Sequence, residues 1–280
     1  MIIDFHTHIF PPRIINERRR YVESDPCFAV LYENPRAKLI TAEELIASMD
    51  ESKVDISMVQ NIGWTTHELC VETNDYILEA INRYPDRLVG FCSVQPLSMG
   101  AAIEEIERCA GGGIRGVGEL RPDIQMLALD NKEFMQPFVD ALVKNKMILL
   151  THTSEPVGHQ YQGKGSATPQ MLYPFIYNHP ELTIVCAHWG GGLPFYALMP
   201  EVEKALENVY FDSAASPYLY NPRIYGQMVG LIGENKILFG SDYPLISQSR
   251  MIKEILMQDL SDLAKMKILG ENARKLLGIA

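Results

Sequence analysis

The sequence predicts a single-domain α/β protein of the TIM-like (β/α)8 barrel class, and three observations lead to that prediction. Short apolar segments alternate along the chain with longer segments whose apolar residues recur at helical spacing. Several short segments are almost wholly apolar, such as that from Met147 to Leu150, as expected for parallel strands buried on both faces. The length of 280 residues suits one barrel of about 250 residues. An open, doubly wound sheet is the structural alternative.

Eight segments are predicted as strands, and helical sequence follows each of them. In the first connecting segment, Thr41 and Glu44 form a capping-box signature ahead of an apolar helical face. The predicted strands are Met1–Phe5, Val54–Gln60, Leu88–Val94, Ile114–Leu120, Met147–Thr151, Leu182–Ala187, Val209–Ser213 and Ile237–Gly240.

Two long segments interrupt this alternation. Residues 10–39 contain four prolines, and residues 154–169 are rich in glycine and proline. Both follow predicted strand ends, where barrel active sites are built, so both are predicted to be loops over an active site. No linker-like stretch divides the sequence, and residues 1–280 are expected to form one domain.

Composition excludes several classes of function. The net charge of −10 argues against a nucleic-acid partner, because phosphate binding needs clustered Lys and Arg. The five cysteines are odd in number and far apart, which is not a disulfide framework and favours a reducing, cytoplasmic compartment. No apolar run approaches the roughly 18 residues of a membrane helix, so no membrane partner is expected.

The sharpest local motif is the pair His6 and His8 at the end of the first predicted strand. Alternation along a strand points both side chains to the same side, which at the end of a barrel strand is the barrel axis. Two imidazoles placed in this way can bind one divalent metal. The pair alone is a weak signal, since two hydrogen-bonded core histidines would leave the same pattern.

Four more polar residues stand at the ends of predicted strands. Glu119 ends the fourth strand, His152 the fifth, His188 the sixth and Asp242 the eighth. Each has a structural alternative, such as a helix cap or a hydrogen-bonded buried imidazole. Together they would converge on one point of a barrel, where burying such groups is costly without a metal.

This ordered set of motifs, including Asp242 in a Gly-Ser-Asp-Tyr-Pro segment, resembles the amidohydrolase superfamily. It is most similar to the amidohydrolase-related branch, also called amidohydrolase family 2. The resemblance runs from Ile2 to the C-terminal segment around Arg274, which is essentially the whole chain. It is specific for fold and metal site but weakly specific for substrate. The branch includes hydrolases and non-oxidative decarboxylases of aromatic or unsaturated carboxylic acids, and it often forms dimers, so a homodimer is a candidate assembly.

The resemblance implies a role for each of these residues. His6, His8, His152 and Asp242 would bind a catalytic divalent metal, with Zn²⁺ as the first choice and Mn²⁺ as the second. His188 would be a second-metal ligand, or a catalytic acid or electrophile beside the bound water. Asp242 would also take the proton of that water as a general base.

Glu119 departs from the decarboxylase-like pattern of the branch. It is similar to the strand-four glutamate of TatD-like hydrolases, which can bridge two metals. One and two metals per chain therefore both remain open, with Glu119 and His188 as additional candidate ligands. If Glu119 pairs with Arg121 or Arg115 instead, its role is structural.

Five residues are candidates for binding the substrate. Arg121, just beyond the fourth strand, could pair with a carboxylate, although a surface salt bridge is the alternative. Trp64 and Trp189 follow the second and sixth strands and are predicted to form an aromatic wall at the cavity mouth, with simple packing as the alternative. His159 and Tyr161 lie in the glycine-rich loop and are predicted to face the mouth, with solvated loop residues as the alternative.

The leading hypothesis from the sequence is a metal-dependent hydrolase of a small molecule. Metal-activated water would attack an amide, lactone or ester, Asp242 would shuttle the proton, and His188 would stabilise the oxyanion. The first alternative is a metal-dependent non-oxidative decarboxylase of an aromatic or unsaturated carboxylic acid. A TatD-like nuclease and a non-catalytic metal-binding protein are further alternatives.

Overall fold

Parallel strands, paired in the order in which they occur in the sequence, form the centre of the protein. The computed structural model describes residues 1–279. Phe5 N–H donates to the Phe239 carbonyl over 2.7 Å, so the first and last strands nearly close the sheet. The predicted single-domain (β/α)8 barrel is confirmed. The eight strands within residues 1–279 are β1 (Ile3–His8), β2 (Ile56–Gln60), β3 (Leu88–Cys92), β4 (Gly116–Leu120), β5 (Ile148–Thr151), β6 (Ile184–Cys186), β7 (Val209–Asp212) and β8 (Ile237–Leu238).

Helices surround the barrel and connect its strands. No helix in residues 1–279 combines the length and apolar character needed to cross a membrane. The first eight helices are α1 (Pro12–Asn16), α2 (Arg18–Ser24), α3 (Pro26–Tyr32), α4 (Ala42–Ser52), α5 (His67–Arg83), α6 (Gly100–Gly111), α7 (Lys132–Lys144) and α8 (Pro169–Asn178). They are followed by the single turn α9 (Ala187–Gly190), and by α10 (Pro200–Ala205), α11 (Ser216–Leu219), α12 (Ile224–Ile232), α13 (Gln248–Leu256), α14 (Asp262–Met266) and α15 (Asn272–Leu277).

The barrel has two apolar layers, which explains why its strands are apolar throughout. Along β5, Ile148 and Leu150 belong to the core inside the barrel, while Leu149 belongs to the core between strands and helices. Ala273 and Leu277 of α15 join the inner core, so the last helix packs against the inside of the barrel. The outer core contains most of the buried apolar residues, and each buried large side chain stabilises the fold by about 1.5–3 kcal/mol.

Five of the eight strands begin later than predicted. In β2, β4 and β5 the apolar residue that was predicted to start the strand ends a helix instead. The N–H groups of Val54, Ile114 and Met147 each donate to a carbonyl five residues earlier, over 2.9, 3.1 and 2.9 Å. Such bonds are typical of the Schellman motif that terminates helices with an apolar contact. β8 is also shorter than predicted, because it ends at Leu238 rather than at Gly240.

The segment 10–39 is not a plain loop as predicted, because it contains α1, α2 and α3. Pro12 and Pro26 occupy the first turns of α1 and α3, where a missing N–H costs nothing, so these prolines begin helices rather than break them. The three helices pack through a separate apolar cluster that includes Phe28 and Trp64. The second predicted loop, residues 154–169, is irregular as far as Thr168, and α8 begins at Pro169. All five cysteines are buried free thiols.

Candidate metal centre

Side chains from several strands meet at the carboxyl end of the barrel. Their nitrogen and carboxylate atoms form three overlapping groups, and within each group the ligand atoms lie within 4.8 Å of one another. This convergence follows from the fold, because the carboxyl ends of all barrel strands surround one axis. The side chains that meet here, called the metal cluster below, are His6, His8, Glu119, His152, His188 and Asp242.

His6 and His8 face each other across 3.1 Å between their Nε2 atoms. Nδ1 of His6 lies 2.8 Å from Oδ2 of Asp212, and Nδ1 of His8 lies 2.9 Å from the carbonyl of Asn61. Both of these partners are acceptors, so they favour a proton on each Nδ1. The two Nε2 atoms are then free to offer lone pairs to one point, as paired metal ligands do.

Glu119 points into the metal cluster rather than toward an arginine. Its Oε1 lies 2.9 Å from Nδ1 of His152 and 3.3 Å from Nε2 of His188. Its Oε2 lies 4.0 Å from Nε2 of His8, on the other side of the cluster. Arg121 pairs instead with Asp123 over 3.4 Å. Glu119 is therefore placed between the β1 histidines and the histidines that follow β5 and β6.

Asp242 reaches the cluster from the segment after β8. Its Oδ1 lies 3.2 Å from Nε2 of His8 and 3.8 Å from Nε2 of His6. Its side chain is 16% exposed, whereas those of His6, Glu119 and His188 are at most 7% exposed. Asp242 is thus the member of the cluster most open to the space above it.

Two buried carboxylates that the sequence analysis did not identify, Asp212 and Asp4, form hydrogen bonds that support the metal cluster. Besides its contact with His6, Asp212 accepts the N–H of His188 over 2.9 Å. Asp4 accepts the N–H of Ser241 over 2.9 Å and the Gln248 amide over 2.8 Å, which links β1 to the segment carrying Asp242. The available signal was a charged residue inside an otherwise apolar strand, since such a group must find partners when it is buried.

The electrostatics of the cluster favour bound positive charge. Burial alone would lower the pKa of His6, but Asp212, Asp242 and Glu119 outweigh it and raise that pKa to about 10. Burial likewise opposes protonation of His188, but Glu119 and Asp242 raise its pKa to about 9. Burial raises the pKa of the Asp242 carboxyl, but His8 and His6 bring it down to about 2.

The donor set fits a divalent cation. Glu119, Asp212 and Asp242 bring three carboxylates to one buried place, where uncompensated negative charge is costly. The remaining donors are imidazole nitrogens, and such a mixture of nitrogen and oxygen ligands suits zinc or manganese. Burial and the nearby Arg121 lower the pKa of His152 to about 4, which leaves that imidazole neutral and able to offer a lone pair.

A cavity of about 370 Å³ opens above the cluster. This volume lies at the lower end of the range for small-molecule sites, about 300–1,000 Å³. Arg121 is 1% exposed, and its Nη1 has no hydrogen-bond partner among residues 1–279. The cavity lining includes His8, Glu119, His152, His188 and Asp242 together with Arg121, Tyr32, His159, Tyr161, Leu219 and Leu245.

Three of the five predicted substrate contacts line this cavity, and the two tryptophans do not. Trp64 is fully buried, donates to Asn61 over 2.7 Å and stacks on Phe28 with ring centroids 5.4 Å apart. Trp189 is also fully buried and donates to Ser216 over 2.9 Å. The predicted aromatic wall of tryptophans is therefore wrong, because both rings face the packed interior.

Tyrosines supply aromatic surface to the cavity instead. Tyr32 and Tyr218 line it alongside Tyr161. Tyr32 ends α3, within the segment that the sequence predicted to be a loop, and its role depends on the helical packing of that segment. No local sequence pattern indicates that Tyr32 lies near the cluster.

Known proteins resemble this chain along nearly its whole length. The sequence model of the amidohydrolase family matches residues 3–279. The chain is 24% identical to 2-amino-3-carboxymuconate-6-semialdehyde decarboxylase of Dictyostelium discoideum over 335 residues, which cover 99% of this chain and 91% of that protein.

Two solved structures share the fold over nearly their whole length. One is 5-carboxyvanillate decarboxylase from Sphingomonas paucimobilis, with a TM-score of 0.82 at 16% identity, covering 100% of this chain and 99% of that one. The other is 5-carboxyvanillate decarboxylase from Novosphingobium aromaticivorans, with a TM-score of 0.79 at 21% identity, covering 100% and 96%. The second structure contains manganese and 4-hydroxy-3-methoxy-5-nitrobenzoic acid.

The hydrolase prediction made from the sequence is wrong, because the relative and both of these structures are decarboxylases. The error has a physical source. The same histidine and aspartate ligands can hold a metal for either reaction, so the ligand pattern does not distinguish them. Glu119, which weighed toward hydrolysis, occupies an inward position in this chain without deciding the reaction.

Proposed function

Since the chain belongs to the amidohydrolase family, we propose that it is a metal-dependent non-oxidative decarboxylase of a small aromatic or unsaturated carboxylic acid. The decarboxylase relative aligned over 99% of the chain supports this class of reaction. The apolar and tyrosine-rich part of the cavity wall suits an unsaturated or aromatic body, and the volume limits the substrate to a small molecule.

The observation that carries the proposal is the buried guanidinium of Arg121 at the cavity. A buried charged group with an unpaired N–H is costly unless a ligand supplies an acceptor. The planar guanidinium matches a carboxylate, and a charge-assisted bond between them is stronger than a neutral one. Arg121 therefore favours anionic substrates, which is the charge that a decarboxylase must select.

The metal would be held by His6, His8 and Asp242 on one side of the cluster and by His152 on the other. Glu119 and His188 are the additional ligands if a second ion binds. A bound Mn²⁺ or Zn²⁺ would act as a Lewis acid that orients and polarises the oxygens of the substrate. The Nδ1 atom of each of three cluster histidines already has a protein partner: Asp212 for His6, the Asn61 carbonyl for His8 and the Ala214 carbonyl for His188. These bonds would orient the rings before an ion binds.

The reaction breaks the bond between the carboxyl carbon and its neighbour. The electron pair stays on the neighbouring carbon, which takes up one proton, while the carboxyl group leaves as CO₂. We assign relay of that proton to Asp242, whose carboxylate would take it from a water molecule in the cavity and pass it to the carbon, because Asp242 lines the cavity and is the most exposed member of the cluster. His188 lines the cavity as well, and its ring is fixed by the Ala214 carbonyl at 3.1 Å.

The test is product analysis with metal-loaded protein. Mn²⁺ or Zn²⁺ protein is incubated with a panel of hydroxybenzoic, carboxyvanillic and unsaturated dicarboxylic acids, and CO₂ and the remaining product are measured. We expect CO₂ from at least one acid and, in D₂O, one deuterium at the carbon that lost it. Metal bound with intact ligands but no CO₂ from any acid would overturn the proposal and favour a non-catalytic metal-binding protein.

A further inference from the structure

Ser154 lies beside the candidate ligand His152 at the start of the loop formed by residues 154–168. Its side chain is fully buried, and its Oγ lies 3.1 Å from Nε2 of His152. Nδ1 of the same ring faces Glu119, so Ser154 is the partner of the nitrogen turned away from that carboxylate. A hydroxyl suits this position because it can accept a hydrogen bond from Nε2 when that nitrogen is protonated and donate one to it when it is not.

The same hydroxyl oxygen holds the far end of the loop. The N–H of Gly165 donates to Ser154 Oγ over 2.9 Å, and the N–H of Ser154 donates to the Ala167 carbonyl over 2.9 Å. One residue along, the N–H of Ser166 donates to Asp123 over 3.0 Å, and Asp123 is the partner of Arg121. The end of the loop is therefore attached both to the neighbour of His152 and to the counter-ion of Arg121.

The loop is also a wall of the cavity, to which it contributes His159, Tyr161, Gln162 and Gly163. Its end fits closely against the barrel at Gly165. A Cβ atom added there would lie 1.8 Å from a carboxylate oxygen of Asp123, so the Asp123 side chain would have to move away from the loop. The position of the loop and the position of Ser154 Oγ are thus set together.

We propose that Ser154 is a positioning residue that couples metal binding at His152 to the seating of the 154–168 loop over the cavity. The inference rests on the proposed metal site. Partners behind a metal-binding histidine fix the orientation of its ring and raise its affinity for the ion. Because one oxygen contacts both His152 and Gly165, bound metal stabilises the seated loop, and by linkage the seated loop stabilises bound metal.

The test measures metal affinity and loop order without any substrate. The Mn²⁺ dissociation constant is obtained by competition with a chelator, and hydrogen exchange of amides 155–168 is followed with and without Mn²⁺. Ser154→Ala is compared with Ser93→Ala, a matched control whose buried hydroxyl donates to the Ile62 carbonyl over 2.9 Å. In the wild type and the control, Mn²⁺ should slow exchange in the loop.

Ser154→Ala should bind Mn²⁺ about 10- to 100-fold more weakly. Exchange in its loop should be fast and no longer respond to Mn²⁺ once the variant is saturated with metal. Wild-type affinity in this variant, or a loop that still responds to Mn²⁺ as the wild type does, overturns the proposal.

Gly165→Ala provides a second, independent perturbation. It keeps the hydroxyl of Ser154 but forces the end of the loop and the Asp123 side chain apart, so it should also weaken Mn²⁺ binding. Unchanged affinity in Gly165→Ala would contradict the coupling, and this variant decides the question alone if Ser154→Ala does not fold. Neither the Mn²⁺ dissociation constant nor the hydrogen exchange of the loop depends on CO₂ release. An absence of decarboxylation would therefore contradict the proposed function without contradicting the coupling.

Discussion

Asp212 connects two histidines of the metal cluster through its two carboxylate oxygens. Oδ2 lies 2.8 Å from Nδ1 of His6, and Oδ1 accepts the backbone N–H of His188 over 2.9 Å. All three residues are buried, so water does not compete for these bonds. A single carboxylate therefore orients ligands from two different strand ends.

Asp212→Asn should weaken metal binding by about 10- to 100-fold while the barrel remains folded. The amide can accept a hydrogen bond, but it lacks the negative charge that strengthens the donor properties of His6 toward the metal. The dissociation constant for Mn²⁺ or Zn²⁺ measures the effect, with exposed Asp259→Asn as the control. Equal affinities for the two variants would mean that Asp212 has only a structural role.

His8→Ala and Asp242→Ala should each lose bound metal and activity together. Each removes one ligand atom from the mouth of the barrel, where the remaining donors cannot complete the same site. Elemental analysis of the purified protein and CO₂ release are the two measurements. His67→Ala, outside the cluster, is the control. A wild-type protein that contains no metal and does not respond to added Zn²⁺ or Mn²⁺ would contradict the whole assignment.

Glu119→Gln should lower metal affinity by at least about ten-fold. Glu119 contacts His152 and His188 and approaches His8, so its charge acts on both sides of the cluster. The number of metal ions per wild-type chain distinguishes two roles for Glu119. Near two ions per chain, Glu119 is a bridge whose loss should reduce the content toward one, whereas near one ion per chain it tunes a single site.

Arg121→Met should raise KM for the carboxylate substrate far more than it lowers kcat. A hydrogen bond between charged groups contributes about 1.5–3 kcal/mol, equivalent to about 10- to 150-fold in KM. Methionine retains much of the packed volume while removing the charge. Exposed Arg223→Met is the control for loss of a positive charge. An unchanged KM would show that the substrate does not contact Arg121.

Glu105 on α6 gives a prediction for stability and its pH dependence. Its carboxylate accepts from Arg108 and Asn74, each over 2.7 Å. Burial raises its pKa, but these partners outweigh burial and bring the pKa below its usual value. A lowered carboxyl pKa stabilises the fold above the unfolded-state value of about 4.3, and the contribution is lost as pH falls through the folded-state pKa.

Glu105→Gln should therefore lower the free energy of unfolding by about 1–3 kcal/mol at pH 7, and the difference from wild type should shrink below about pH 4. Thermal melting at both pH values measures it. Glu107→Gln on the same helix is the control, because its ion pair with Lys144 is solvent-exposed and contributes little. A destabilisation that does not depend on pH would point to packing rather than charge.

Strand order, the helices outside residues 10–39 and the residues of the cluster were predictable because each leaves a local pattern. Short apolar segments marked β1 to β8, and a polar residue after an apolar run marked His152, His188 and Asp242. The starts of β2, β4 and β5 were placed too early because apolar residues such as Val54 and Ile114 end helices through hydrogen bonds that hydrophobicity does not reveal. The local sequence also does not show whether Trp64 faces the cavity or the packed interior.

The sequence by itself determined the barrel and the candidate ligand set, because strand period and residue type are properties of short segments. Tertiary structure decided the orientation of Glu119, the support of His6 by Asp212 and the exclusion of both tryptophans from the cavity. These features join residues up to about two hundred positions apart, and they exist only when the barrel brings its strand ends around one axis. The reaction itself was not determined by the ligand pattern, because the same imidazoles and carboxylates can serve hydrolysis or decarboxylation.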